Sequence, residues 1–176
     1  MAGPVFAAAV MLDPEKPIKG INDSKKLNAP TRLALASEIK EKAVCWSVIQ
    51  VSADVIDATN ILRASLKAMA EAVHKLDKEP SCVLVDGHIK LPDLPYEQYC
   101  FVKGDGKYQS IAAASILAKT SRDLYMEEIH TEFPEYLWNQ NKGYPTIAHR
   151  IAIEQFGLCK YHRKTFQFKI HENPKH

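Results

Sequence analysis

Two carboxylates stand where an acid is unusual. Asp86 closes the apolar run Val83-Leu84-Val85 and is followed by Gly87. The carboxyl end of a buried strand is where α/β sheets carry their sites, although an Asp before a Gly also simply opens a turn. Asp123 stands four residues after Lys119 and follows Ser110 to Ala118, a stretch without charge. It is either half of an i, i+4 ion pair, worth ~0.3–0.5 kcal/mol, or a metal-binding carboxylate aimed at the strand ends. Two hard carboxylates meeting there would suit Mg²⁺ or Mn²⁺. Their spacing does not show that they meet.

Other chemistry is excluded by its frame. Gly104-Asp105-Gly106-Lys107 resembles the end of a phosphate loop, but Phe101 replaces the first Gly and Tyr108 replaces the Ser or Thr. Ser115 lacks a Gly-x-Ser-x-Gly frame. His149 and His162 are thirteen positions apart, without metal-ligand rhythm, and read as surface or hydrogen-bonding histidines. With no cofactor loop, a small-molecule α/β enzyme is disfavoured.

The elements that must position the acids follow from periodicity. The continuous apolar stretch 4–12, the β-branched and aromatic stretch 44–51, 82–86 and 98–102 predict strands. Helices are predicted over 31–43, 59–77, 108–130 and 146–156. The second carries an apolar stripe of Leu62, Leu66, Met69, Val73 and Leu76. The third places Ile111, Ser115, Ala118, Arg122, Tyr125 and Ile129 on one face. Thr146 is the candidate N-cap of the last, and Gly157 its stop. Strands alternating with helices imply an α/β sheet flanked by helices.

Length and composition agree with a globular chain: 176 residues, 46% hydrophobic and 25% charged. The net charge of +2 hides an asymmetry. Residues 142–176 hold seven Lys/Arg against two Asp/Glu, while 1–141 hold sixteen against nineteen. The basic segment is either a phosphate-facing surface or a solvated face. The chain is accordingly divided into a core, 1–141, and a basic C-terminal cap, 142–176. The apolar run at 4–12 is too short to span a membrane, which takes ~20 residues. The four scattered cysteines, without a C-x-x-C pair, point to a reduced, cytoplasmic compartment.

The motifs then combine. Ala2-Gly3-Pro4-Val5, Asp23-Ser24-Lys25-Lys26-Leu27, Asn60-Ile61-Leu62, Val85-Asp86-Gly87 and Lys103-Gly104-Asp105 follow one another in order. The most specific stretch runs from Ser110 to Lys119 and is completed by Arg122-Asp123. Asn141-Lys142-Gly143-Tyr144 and His162-Arg163 close the series. In these motifs, nearly end to end, the chain resembles ribonuclease HII, the type 2 ribonuclease H family.

The resemblance implies a ribonuclease-H-like mixed sheet flanked by helices, and a monomer that cleaves the RNA strand of RNA/DNA hybrids. Its substrates would include single ribonucleotides in DNA, and its metal would be Mg²⁺ or Mn²⁺. Carried over by motif, Asp86 and Asp123 are expected to be the catalytic, metal-holding acids, and Tyr144 to pack on the sugar at the RNA–DNA junction. Lys25 is expected to meet a phosphate, and Lys119, His162 and Arg163 to bind substrate. The family pattern places an Asp-Glu pair and a Gly-Arg-Gly turn before Ala-Gly-Pro-Val. Residues 1–12 contain no acid. The expectation is therefore a sheet without its first central strand, with two of four carboxylates and slow cleavage. The alternative is a catalytically deficient remnant that binds nucleic acid without cutting it.

Overall fold

The structure, a computed structural model, describes residues 1–22, 24 and 26–166. The apolar run near the start forms β1 (Val5–Met11), which pairs antiparallel with β2 (Cys45–Val51), Val5 opposite Val51 and Met11 opposite Cys45. The helix between them, α1 (Ala29–Lys42), is capped by the Asn28 side chain, which accepts from the Thr31 N–H. Next come α2 (Ala53–Ala58), in a segment where the sequence predicted no element, and α3 (Ile61–His74), capped by Asn60. A second pair, β3 (Cys82–Asp86) and β4 (Glu97–Phe101), is parallel. A 3-10 turn over Gly104–Gly106 leads into the 24-residue α4 (Gln109–Glu132). After a second 3-10 turn, Pro134–Tyr136, α5 (Trp138–Asn141) and α6 (Ile147–Phe156) end the described elements. Thr146 and Gly157 bound α6 as predicted.

The described strands form two two-stranded sheets rather than one. β1 uses one edge for β2, and β3 uses one edge for β4. Both strands line a cleft of about 870 Å³, with Met69 and Val73 of α3 and Leu76 just past its end on one wall, and Ile111, Ala114 and Ser115 of α4 on another. The predicted stripe of α3 therefore faces this cleft in part, while Leu62 is exposed. Its alanines, Ala64 and Ala68, pack on Ala7 and Val51, letting the helix approach the β1–β2 pair closely.

α4 holds the molecule together. Ala113, Ile116 and Leu117 meet Leu35 and Ile39 of α1, with β1 residues packed alongside. Further along the same helix, Met126 and Ile129 join Ala2, Tyr136, Trp138 and Ala152. The described part of the basic segment, 142–166, thus shares a core with α4. Among the described residues no helix is long and apolar enough to cross a membrane, and all four cysteines are free thiols.

Candidate active site

Asp86 is exposed at the carboxyl end of β3 and lines the cleft. Its Oδ1 accepts the Gly104 N–H at 2.9 Å. Gly104 is required by its surroundings. A Cβ there would lie 2.6 Å from the Ile111 side chain and 3.3 Å from Phe101 Cβ. The absence of a side chain lets the Lys103-Gly104-Asp105 turn close against β3 and the first turn of α4. That turn brings Asp105, buried at 7% exposure, to the residue after the one that Asp86 binds.

Asp123 is engaged elsewhere. Its Oδ2 accepts from Arg32 Nη2 at 3.0 Å and its Oδ1 from Lys119 Nζ at 2.7 Å. Arg32 also donates from Nη1 to the carbonyls of Ser24 and Leu27, and Ser24 Oγ meets Ser115 Oγ at 2.9 Å. The carboxylate thereby fastens the loop before α1 to α4. Ile111, which packs against the Gly104 turn, and Asp123 are twelve residues apart on one helix, ~18 Å along its axis. Asp86 and Asp123 thus take different partners at different levels of α4, and no hydrogen bond or ion pair joins them. The i, i+4 contact with Lys119 is present, and Arg32, from another helix, reinforces it. Among the described residues no group of three or more His, Cys, Asp or Glu is placed to hold a metal.

The remaining expected site residues divide sharply. Tyr144 is 53% exposed, with Lys119 Nζ 5.5 Å and Arg122 Cζ 5.9 Å from its ring centroid. Lys119 is therefore occupied by Asp123 and the Tyr144 ring. Arg122 is held by carbonyls, donating to those of Pro4, Ala2 and Lys142. Burial lowers its pKa.

His162 and Arg163, expected to bind substrate, are both interior. His162 is 1% exposed and meets His149. Arg163 is 8% exposed and donates from Nε to the Gly3 carbonyl at 2.9 Å. Burial, with Arg122 nearby, pushes its pKa down to about 10. Other cations of the basic segment meet acids of the core: Lys142 pairs with Glu127 at 2.6 Å and Lys160 with Glu132 at 2.5 Å. Charge counted along the segment gave no hint of these long-range partners. Lys25 lies outside the described residues, as do residues 167–176 of the basic segment.

Arg32, Arg122, Ser115 and Asp105 escaped the sequence reading as a constellation. Periodicity assigns such polar residues to a face but not to a partner.

The sequence profile of the family described as Ribonuclease HII matches residues 1–170. The curated ribonuclease HII of Christiangramia forsetii is 51% identical over 167 residues, covering 95% of this chain and 84% of that protein. The crystal structure of ribonuclease H2 from Pyrococcus horikoshii OT3 superposes with a TM-score of 0.75 at 25% identity, covering 94% of this chain and 88% of the other. Bst-RNase HIII in complex with Mn²⁺ shares the fold at a TM-score of 0.63 and 20% identity, covering 89% of this chain and 58% of that one.

Proposed function

This chain belongs to the ribonuclease HII family and is a ribonuclease-H-type endonuclease, and from that premise we propose that it cuts the RNA strand of RNA/DNA hybrids, including single ribonucleotides in DNA, using Mg²⁺ or Mn²⁺. The observation that carries this reading is the Gly104 turn, whose N–H meets the strand-end Asp86 at 2.9 Å and whose next residue is the buried Asp105. Hard carboxylate oxygens suit either cation, and the related HIII enzyme was solved with Mn²⁺. Asp86 and Asp105 would hold the metal. Asp123, expected from the sequence to share it, serves in this reading to fasten Arg32 and Lys119.

Two acids are few for such a site. Among the described residues β1 and β3 each pair along one edge, and both line the cleft that Asp86 lines. Peptide groups along a strand's other edge need partners. One further extended strand between them would join the two pairs into a single sheet and could bring carboxylates to the same place.

When bound, divalent metal supplies an activated water and charge at the leaving oxygen of a phosphodiester. The chain's own residues position the substrate. Tyr144 offers an exposed ring face that packs on a sugar and senses the 2′-hydroxyl by contact. Lys119 and Arg122 fix that ring from α4. The hybrid duplex, or DNA containing a ribonucleotide, lies across Tyr144 and the Asp86 end of the cleft.

The test is cleavage of a duplex carrying one ribonucleotide, with Mg²⁺ and with Mn²⁺. Asp86→Asn should abolish cutting with either metal. Tyr144→Ala should slow it at the embedded ribonucleotide more than on a continuous hybrid. Full activity in Asp86→Asn would reject the site.

A further inference from the structure

Behind Tyr144 lies a buried chain of hydrogen bonds that substrate does not reach. His149, at 0% exposure, points Nδ1 at the Tyr144 carbonyl at 2.9 Å. Its Nε2 faces Trp138 Nε1 at 3.1 Å and His162 Nε2 at 3.2 Å. His162 Nδ1 faces the Cys159 N–H at 3.1 Å and Cys159 Sγ at 3.2 Å.

Only one proton arrangement satisfies every contact. A carbonyl only accepts, so His149 Nδ1 carries a proton. An indole N–H only donates, so His149 Nε2 is bare. His162 Nε2, facing that bare nitrogen, must donate, and its Nδ1 must accept from the Cys159 amide. A second proton on either ring would set two donors face to face. Burial lowers the pKa of both rings and so favours this neutral state.

We propose that His149 is a positioning residue for Tyr144: its Nδ1–H holds the Tyr144 carbonyl, and Trp138 with His162 fixes the tautomer that can do so. This rests on the reading that Tyr144 contacts the ribonucleotide sugar. Counting the His149 contact, the Tyr144 backbone makes three hydrogen bonds. Its N–H donates to the Asn141 carbonyl at 2.9 Å, and its own carbonyl also accepts the Thr146 N–H at 2.9 Å. The preceding Gly143 has φ +78°, and a Cβ there would stand 2.6 Å from the Ala2 carbonyl oxygen. Of these, only the His149 contact comes from a side chain beyond the turn, and it ties the turn to α6. The turn itself sets the backbone path, and His149 sets how that path sits over α4, where Lys119 and Arg122 meet the ring.

Two measurements test this. Long-range ¹H–¹⁵N correlation of the imidazole rings in the unaltered chain at neutral pH should show His149 as the Nδ1–H tautomer and His162 as Nε2–H. The opposite tautomer at His149 would overturn the proposal without any substitution. The second reads affinity for a duplex with one ribonucleotide relative to the all-DNA duplex, by fluorescence anisotropy without added metal. His149→Ala should lower that ratio about tenfold, the loss of one well-placed hydrogen bond and the order it imposes. His149→Asn, whose amide N–H₂ can take the place of Nδ1–H, should keep most of it. In a Tyr144→Ala background His149→Ala should change nothing further. An equal loss with Tyr144 absent would overturn the positioning role alone. A Tyr144→Ala ratio equal to the parent's would overturn the sugar-contact reading and the proposal built on it.

Discussion

Replacing Asp123 by Asn distinguishes an acid that holds metal from one that holds the fold. Its carboxylate is 14% exposed and takes Arg32 at 3.0 Å and Lys119 at 2.7 Å, their side chains 11% and 24% exposed. At 3.0 Å and an effective dielectric of about 20, the Arg32 pair has a Coulomb attraction of ~5 kcal/mol. Most of that is offset by desolvation, yet removing one partner of a buried pair typically costs ~3–5 kcal/mol because the other charge is stranded. Asn keeps one acceptor oxygen but turns an N–H₂ toward a cation. Lys119 can still reach solvent, and Arg32 keeps its bonds to the Ser24 and Leu27 carbonyls. The expected loss is therefore at the lower end, about 3 kcal/mol, a large part of a total stability of ~5–15 kcal/mol. Urea unfolding followed by tryptophan fluorescence should show it as a midpoint lowered by about 1.5 M for a slope near ~2 kcal/mol/M. Mn²⁺ titration of the folded variant should give an affinity within about threefold of the parent, a difference under ~1 kcal/mol. Asp86→Asn and Asp105→Asn should each lose at least about tenfold. A stable Asp123→Asn variant that had lost its Mn²⁺ affinity would refute the assignment and return Asp123 to the metal.

Arg122→Ala removes donors from the carbonyls of Ala2, Pro4 and Lys142; it should cost about 3 kcal/mol in urea unfolding, and a loss below ~0.5 kcal/mol would show that those carbonyls find other partners. Gly143→Ala, at φ +78° and against the Ala2 carbonyl, should cost at least about 2 kcal/mol and lower the ribonucleotide preference of binding, since it displaces the start of the Tyr144 turn. Acid should loosen the same region. Burial, and next to it His149, holds the His162 pKa down to about 4. Folded His162 therefore binds its proton more weakly than the unfolded chain does, with its ordinary pKa near ~6.5. Its contribution is complete above that value and is lost as the pH falls toward 4, about 2 kcal/mol being gone by pH 5. Urea midpoints at pH 7.5 and 5.0 should show this loss, and His162→Leu should flatten it.

What the sequence determined by itself was local. Short apolar, β-branched and aromatic stretches specified β1 to β4 within a residue or two, because such side chains suit the pleated backbone. The cap Thr146 bounded its helix, because an N-terminal turn needs an acceptor at that point, whereas the caps Asn28 and Asn60 emerged only with the structure. Asp86 was legible as the end of a strand because a carboxylate followed by Gly stops an apolar run, and the structure places it there, exposed. Tertiary structure decided the partners. Asp123 and Asp105 look alike along the chain, and only folding shows one neutralised by Arg32 from α1 and the other brought against the end of β3. His162 and Arg163 look like surface residues of a basic segment until the fold closes over them, one on His149 and the other on the Gly3 carbonyl. The physical reason is common to all four. Propensity and periodicity act over a turn of helix or a few strand residues, while the free energy of a charge depends on what lies within a few ångströms of it, here set by residues 91 positions away for Asp123 and 160 for Arg163.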